Sequence, residues 1–468
     1  MTTIESPAIP QPNQDVQANR SRIGPTLAVA VAILISGSRL FLAIRSSSVN
    51  IFFMDQWDFL GPFFRHQASF TDLFFMQLGI QRDGIGLFVD KFLYPLTDWN
   101  ARVDPFFIGA CLFAAMLLAL RLKYKLYGPL AYSDVAIPVT FLTLAQWEML
   151  FNTPDPSYAG LPLLLMILYC LALLRRNSII RYSLVLALNF VLIFTGYGLF
   201  MGPITLGVFL LECYWSRRHL TTTPFGQALA GLLVAAASLG SFFIHYDFRP
   251  GVGCFQFSFL NLLQYPRFMA LMFSTFLIPR PFLLMMGVEI FGAVVLGVVL
   301  AVFGYNVFRL IKSPQPAHLI GAILLSFTLL FTSNASVGRL CMGLNAAFAS
   351  RYSTLLIPAF LALYFFLLSK SWLAKRNLVL AIWVLLLLPA SLYKPWREIH
   401  WFSEGKRHWA ACYVRTGDIR GCTQSTNFVL YGDFELTHLQ EKLDYLKQNH
   451  LNLFAASSYG QDADAHKK

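Results

Sequence analysis

Charge is scarce in this chain. Only 13% of its 468 residues are Asp, Glu, Lys or Arg, against about 25% in an ordinary soluble domain. Acids are the scarcer sign, 24 against 36 bases. There is no CxxC pair, no internal repeat of fixed period and no low-complexity segment. What is abundant is apolar: 56% of residues are hydrophobic and the mean hydropathy is +0.57. That balance points to a membrane protein before any segment is read. The net charge of +12 does not imply a nucleic-acid partner, because the bases form no single stripe. They fall in small clusters between apolar runs, as the positive-inside rule expects. Cys111, Cys170 and Cys213 lie within apolar runs and read as packing residues.

The first 23 residues are polar, with prolines at 7, 9 and 12, and read as a disordered cytoplasmic tail. The run from Gly24 to Ile44 is too long for a cleaved signal and lacks a small-residue cleavage site, so it reads as an uncleaved first helix. A crossing takes roughly 20 apolar residues. The expected fold is therefore all-α and polytopic, with about eleven spans. They fall near 24–44, 105–122, 134–152, 159–174, 182–196, 199–214, 226–245, 283–310, 318–335, 355–371 and 377–393. The run 182–214 is divided at Thr195-Gly196-Tyr197-Gly198, since short helices with irregular turns are tolerated when buried in protein.

Basic residues mark every second turn. They are Arg20 and Arg22, Lys123 and Lys125, Arg175, Arg176 and Arg181, Arg217 and Arg218, Arg309 and Lys312, then Lys370, Lys375 and Arg376. The 153–158 connection between them has none. This phase puts the N-terminus in the cytoplasm and the segment after 393 outside. The expected organisation is a tail at 1–23, a membrane domain at 24–393 with an outer loop at 45–104, and a small extracytoplasmic region at 394–468. Loops at 246–282 and 336–354 also fall outside.

The first outer loop holds Asp55, Asp58, Asp72, Asp83, Asp90, Asp98 and Asp104, dense for so acid-poor a chain. Asp55 and Asp58 flank Trp57 just past the first helix. A carboxylate at a membrane surface is poorly solvated and its pKa tends to rise. That suits it to taking a proton or holding a divalent metal. The plainer reading of Asp58 is a solvated loop residue or helix cap. Residues 59–95 are amphipathic and suit one or two interfacial helices. Arg82 and Lys91 are candidates for a lipid phosphate or for snorkelling anchors. The Gly84-Ile85-Gly86 stretch follows no strand and is no nucleotide motif.

Asp55 beside a tryptophan, the long loop after it, and Trp99-Asn100-Ala101-Arg102-Val103 give the chain a resemblance. So do Gly338-Arg339 with Gly343, Ala349-Ser350-Arg351-Tyr352, and Asn452-Leu453-Phe454-Ala455 in the tail. Together they resemble bacterial membrane proteins of the GT-C glycosyltransferase superfamily. The resemblance implies transfer of a sugar from a polyprenyl-phosphate carrier to an envelope glycan, lipid or protein on the outer face, with inversion. It implies a catalytic carboxylate at Asp55 and residence in a bacterial inner membrane. Many members of the superfamily carry a second acid where this chain has Gln56. They often carry Asn-Glu-His-Arg where it has Ile80-Gln81-Arg82-Asp83.

A lipid-phosphate donor needs fixed positive charge at membrane depth, which arginine supplies as a planar fork. Arg339 and Arg351 stand on the outer side beside apolar spans. Each is a phosphate-binding candidate, or else a structural partner of a first-loop aspartate. Arg267 and Arg280 are weaker candidates. Glu148, Asp155 and Glu289 read as structural pairing partners, and His245 with Asp247 as a helix end rather than a metal pair. No residue set has metal-ligand spacing, so no cofactor is fixed, though a divalent metal remains compatible with Asp55. Cys412 and Cys422 are placed for a disulfide if the tail is outside. Trp396, Trp401 and Trp409 are expected to anchor the tail to the interface, and 436–447 reads as an amphipathic helix. The rival functions are a flippase or transporter of lipid-linked sugars, a polysaccharide polymerase or ligase, and a silent assembly subunit.

Overall fold

The computed structural model describes residues 12–65, 69–158, 160–221, 223–248, 257–279, 282, 287–370, 375–432 and 438–455. Its helices of eight residues or more are α1 (Pro12–Ser47), α2 (Gly84–Leu93), α3 (Val103–Tyr127), α4 (Gly160–Leu173) and α5 (Ser178–Ile193). They continue as α6 (Met201–Arg217), α7 (Phe225–Ser241), α8 (Gln264–Leu277), α9 (Val288–Lys312) and α10 (Pro316–Arg339). The last five are α11 (Ser353–Ser369), α12 (Arg376–Leu392), α13 (Trp396–Thr416), α14 (Ile419–Thr426) and α15 (Leu439–Gln448). Among the described residues the strand content is a two-residue hairpin, Gln77–Leu78 with Gln81–Arg82.

Among the described residues, seven helical segments are long and apolar enough to cross a membrane. They lie in α1, α3, α6, α9, α10, α11 and the α12 region, and α4, α5 and α7 are shorter apolar helices. Their side chains explain the length: unbroken Leu, Val, Ile and Phe, with polar groups paired inside the bundle. Thr205 donates to Asn189 Oδ1 (2.9 Å), and Asn189 donates to Ser238 (3.3 Å). This links α6, α5 and α7 by hydrogen bonds that lipid could not offer. The chain breaks between α5 and α6 where the sequence places the break. Gly196 takes φ +45° there, and the Thr195 hydroxyl donates to Leu192 O (2.7 Å).

Two segments depart from the expected helices. The run 134–152 is not one helix but a string of short pieces, Tyr132–Val135, Ala136–Phe141, Leu144–Gln146 and Glu148–Asn152. Gln146 makes this tolerable: its buried amide donates to Phe141 O (2.9 Å) and Thr143 O (3.1 Å), and Thr143 Oγ1 caps Ala145 N (3.0 Å). Irregular backbone survives at membrane depth when its polar groups are satisfied in this way. The loop 246–282, expected to be without a span, contains α8, which buries Phe268 and an unbroken run from Ala270 to Leu277.

Beyond the main core lies a second, outer core. It unites Ile51, Phe52, Phe53 and Trp57 of the first loop with Trp409, Tyr413, Leu443 and Leu446 of the tail. The tail and the first loop therefore fold on each other. Within the 436–447 stretch, α15 starts at Leu439, and Leu439, Leu443 and Leu446 are buried; Leu436 lies outside the described residues. Trp396 and Trp401 are exposed, as an interfacial anchor requires, but Trp409 is fully buried and stacks on Tyr413 at 5.2 Å. Its amphipathic ring serves the outer core instead of the interface. Cys412 and Cys422 form a disulfide with Cα atoms 5.6 Å apart, closing the α13–α14 turn.

Candidate functional site

The chain leaves α1 and passes through Met54, whose φ of +49° turns the backbone into the left-handed region. The Met54 amide donates to Leu430 O (3.1 Å) in the tail. This turn delivers Asp55 as the residue preceding the short helix Gln56–Phe59. Asp55 is exposed on one side, while its neighbours Gln56 and Trp57 are buried. Protein crowding on its other sides raises its carboxyl pKa above the ordinary value. The positive charges of Arg351 and Arg339 oppose that rise, and the negative charge of Asp58 adds to it. Asp55 thus shares one electrostatic neighbourhood with Arg339 and Arg351, although 284 and 296 positions separate it from them in the chain (339 − 55 and 351 − 55).

Arg339 ends α10 and is exposed. Arg351 is half-buried in the turn before α11, its guanidinium over the Tyr352 ring at 5.6 Å. That turn is fixed by Glu148 in a reciprocal exchange. Arg351 N donates to Glu148 Oε2 (3.2 Å), while Glu148 N donates to Ser350 Oγ (3.0 Å). Tyr197, at the start of the turn into α6, lies near Arg339, Arg351 and Tyr352 and is hydrogen-bonded to Gln81. Its ring meets Tyr158 at 5.7 Å and Phe331 at 5.0 Å. The charges of Arg351 and Arg339 thus reach Asp55, while Glu148, Tyr197 and Tyr352 gather around the arginines themselves.

The other candidates are engaged elsewhere. Asp58 accepts a hydrogen bond from the Tyr431 hydroxyl (2.5 Å) and faces Lys442 Nζ at 3.8 Å. Lys442 also donates to Trp57 O (2.7 Å). Asp58 is thus an anchor for the tail. Arg82 is buried, and its guanidinium donates to Phe242 O (3.1 Å), Ile244 O (2.5 Å) and Phe75 O. The rings of Phe75, Phe242 and Tyr246 surround it at 5.4–5.8 Å. It pins the first loop to the end of α7. Lys91 is exposed on α2 beside exposed Phe92 and near exposed Leu96, the setting of an interfacial anchor. Arg267 forms a two-pronged pair with Glu289 (2.5 and 3.0 Å). Arg280 lies outside the described residues. His245, at φ +52°, packs its ring on Phe75, and the Asp247 backbone is paired with Gln77. Among the described residues no group of three His, Cys, Asp or Glu side chains is placed to hold a metal.

Behind Asp55 lies a layer of buried acids. Tyr94 donates to Asp104 Oδ2 (2.6 Å), and Gln56 donates to the same oxygen (3.3 Å) and to Pro154 O (2.8 Å). Gln56, where the resembled group often carries an acid, needs its amide N–H to reach those two acceptors, which a carboxylate lacks. Asp83 is held up to about 7 by burial, against a hydrogen bond from Tyr158 (3.2 Å). Burial likewise raises Asp155, helped by the negative charge of Asp83 and opposed by the Ser157 amide (2.7 Å). Lys406 of α13 completes this layer. Its buried amine donates to Phe151 O (2.9 Å) and Asn152 O (2.8 Å) and lies 4.7 Å from the Phe53 ring centre.

Sequence reasoning did not assign Tyr197, Gln56 or Lys406 to this neighbourhood. For Glu148 the signal was there, since an acid closing an apolar run must find a partner.

Away from the site, an apolar crevice of about 630 Å³ runs between α6, α9 and α10. It reaches from Pro203 and Ser333, at the end nearer Arg339, to Leu310 and Leu319 at the end bearing the basic turns. Comparison of the chain with protein-family models, with curated proteins and with solved structures finds no match in any of the three.

Proposed function

We propose that the chain is a membrane glycosyltransferase of the GT-C type, moving a sugar from a polyprenyl-phosphate carrier to an acceptor hydroxyl at the extracytoplasmic face. The observation that carries this reading is the meeting of Asp55 with Arg339 and Arg351 in one neighbourhood open to solvent. Asp55 takes the proton of the acceptor hydroxyl as that oxygen bonds to the anomeric carbon. The bond from that carbon to the phosphate oxygen breaks, and its electron pair leaves with the phosphate. Arg351, held in position by Glu148, and Arg339 stabilise the charge that develops there. Single displacement of this kind inverts the sugar carbon. Ser333 lies six residues before Arg339 on α10, about 9 Å along the helix. The outer end of the crevice thus offers an apolar wall to the first units of the polyprenyl chain. The acceptor is an envelope glycan, lipid or protein. The topology that goes with this reading has eleven crossings of a bacterial inner membrane, the N-terminus in the cytoplasm and the tail outside.

The test is donor consumption by the purified chain against a panel of polyprenyl-phosphate sugars. Asp55→Asn is expected to lower turnover by roughly 10²–10⁴-fold, the range for a lost general base. Full activity in that variant sinks the reading. A chain that transports the same lipids without consuming them is a flippase instead.

A further inference from the structure

On the face bearing the basic turns, far along the bundle from Asp55, lies a second cavity of about 270 Å³. Its walls include Arg181 of α5, Glu212 and Trp215 of α6, Thr221, and Leu319 of α10. Arg181 Nη2 and Glu212 Oε1 stand 3.7 Å apart, too far for a hydrogen bond. The Trp215 indole is already committed to Leu310 O (2.9 Å), and Arg181 Nη2 to Thr223 Oγ1 (3.1 Å). Three atoms remain: Glu212 Oε2, Arg181 Nε and the hydroxyl of Tyr182, which neighbours both, are buried without a hydrogen-bond partner at bonding distance. A buried carboxylate oxygen lacking a donor and a buried guanidinium N–H lacking an acceptor are each costly. Leu319 lines both this cavity and the 630 Å³ apolar crevice, so the polar chamber and the apolar one lie side by side across that side chain.

We infer that this cavity is a binding site for the headgroup of phosphatidylethanolamine from the leaflet on the basic side, with one acyl chain in the inner half of the crevice. The chemistry selects the headgroup. A primary ammonium carries three N–H donors for Glu212, and a phosphodiester accepts from Arg181 as carboxylates and phosphates do. An anionic glycerol headgroup offers the Glu212 carboxylate only neutral hydroxyl donors and brings a net negative charge beside it. A choline headgroup has no N–H to donate. The surrounding Arg175, Arg176, Arg217 and Arg218 hold the phosphate level of the leaflet at this depth. The site is separate from the Asp55 neighbourhood and stands whether or not sugar transfer is the activity.

The experiment is titration of the delipidated, purified full chain in detergent. The probes are dioleoyl phosphatidylethanolamine, dioleoyl phosphatidylglycerol, dioleoyl phosphatidylcholine and water-soluble glycerophosphoethanolamine. Retained lipid is read by native mass spectrometry, and the melting temperature of the lipid-free and lipid-bound chain is followed alongside. The ethanolamine lipid is expected to bind about tenfold tighter than the other two lipids, one charge-assisted hydrogen bond's worth. The soluble headgroup should bind far more weakly than its lipid. Glu212→Gln should bring the ethanolamine lipid down to the choline level. Gly207 borders the crevice, and a side chain added there meets no atom within 4 Å. Gly207→Leu should therefore weaken lipid retention while leaving the lipid-free melting temperature unchanged, and it decides the matter if Glu212→Gln folds poorly. Equal binding of the three lipids, an unchanged preference in a folded Glu212→Gln, undiminished retention in Gly207→Leu, or a soluble headgroup as good as the lipid would each overturn the proposal.

Discussion

Asn50 and Asn452 bind each other across 402 positions of chain. Asn452 Nδ2 donates to Asn50 Oδ1 (3.2 Å), and Asn50 Nδ2 donates to Asn452 O (2.9 Å). The same two side chains also meet the stretch that closes the first loop. Ala101 N donates to Asn50 Oδ1 (2.9 Å), Asn452 Nδ2 donates to Trp99 O (2.7 Å), and Asn452 N donates to Asp98 O (2.7 Å). Two stretches singled out in the sequence, 99–103 and 452–455, are thus one structure.

Replacing either asparagine strands buried partners. Asn452→Ala should cost about 2–4 kcal/mol, because several buried groups lose their hydrogen bonds together. The check is the melting temperature and the rate of protease nicking in the tail. Asn50→Ala combined with it should cost less than the sum of the two, since both remove the Asn452 Nδ2–Asn50 Oδ1 bond.

Asp55 and Asp58 should separate sharply. Asp55→Asn removes the proposed base, whereas Asp58→Asn loosens the Tyr431 and Lys442 tie of the tail and takes away one negative charge that raises the Asp55 pKa. Turnover in Asp58→Asn should stay within about tenfold of the parent, with the loss appearing as about 1–2 kcal/mol of stability. Equal kinetic losses in both variants would contradict this division.

The rate should fall on acidification earlier than an ordinary aspartate predicts. Asp55 acts deprotonated, and its pKa is raised by burial. The acidic limb of the pH–rate profile therefore lies above the usual carboxylate range. Arg351→Met removes a charge that opposes the rise, so it should push that limb to still higher pH and lower the turnover.

Asp83 makes a stability prediction of opposite sense to most carboxylates. Its folded pKa is about 7, above the unfolded value near 4, so the folded chain binds the extra proton. The stability this gives is complete below the unfolded pKa and is lost as pH rises through about 7. Melting temperature should decline between those limits, and Asp83→Asn should flatten the decline. A curve unchanged by the substitution would rule this out.

Opening the Cys412–Cys422 bridge with Cys412→Ser and Cys422→Ser should destabilise the tail by about 2–3 kcal/mol, as for other short closed loops. Limited proteolysis of the 396–426 region is the direct measurement.

The apolar runs were legible because crossing a bilayer demands length and composition together, and both can be counted along the chain. The break at Thr195–Gly198 was legible for the same reason, since the run was too long for one helix and carried glycines. The fragmentation of 134–152 was not. Gln146 looks like one polar residue in an apolar run, and only its folded position reveals that it satisfies two main-chain carbonyls. The helix Gln264–Leu277 was hidden by its shortness. Among the site candidates, Asp55, Arg339 and Arg351 stood out by their place beside span ends, and the fold brings their charges within mutual reach. Arg82 was misleading because a lone arginine in an amphipathic loop does not announce that carbonyls 160 positions away will consume it. Lys406 was invisible for a related reason, its acceptors lying 255 and 254 positions upstream.

The shared outer core has a consequence for biosynthesis. Trp57 and Phe53 are buried together with Leu443 and Leu446, residues made only after all the helices from α2 to α13 that lie between them in the chain. Until then the first loop has no partner for its aromatic face, and Asp55 has no fixed setting. A chain stopped before α13 would carry its apolar helices yet leave this loop uncovered and open to quality-control proteases. The second core thus closes only after the membrane helices have been made, which ties the setting of the first loop to the arrival of α13–α15.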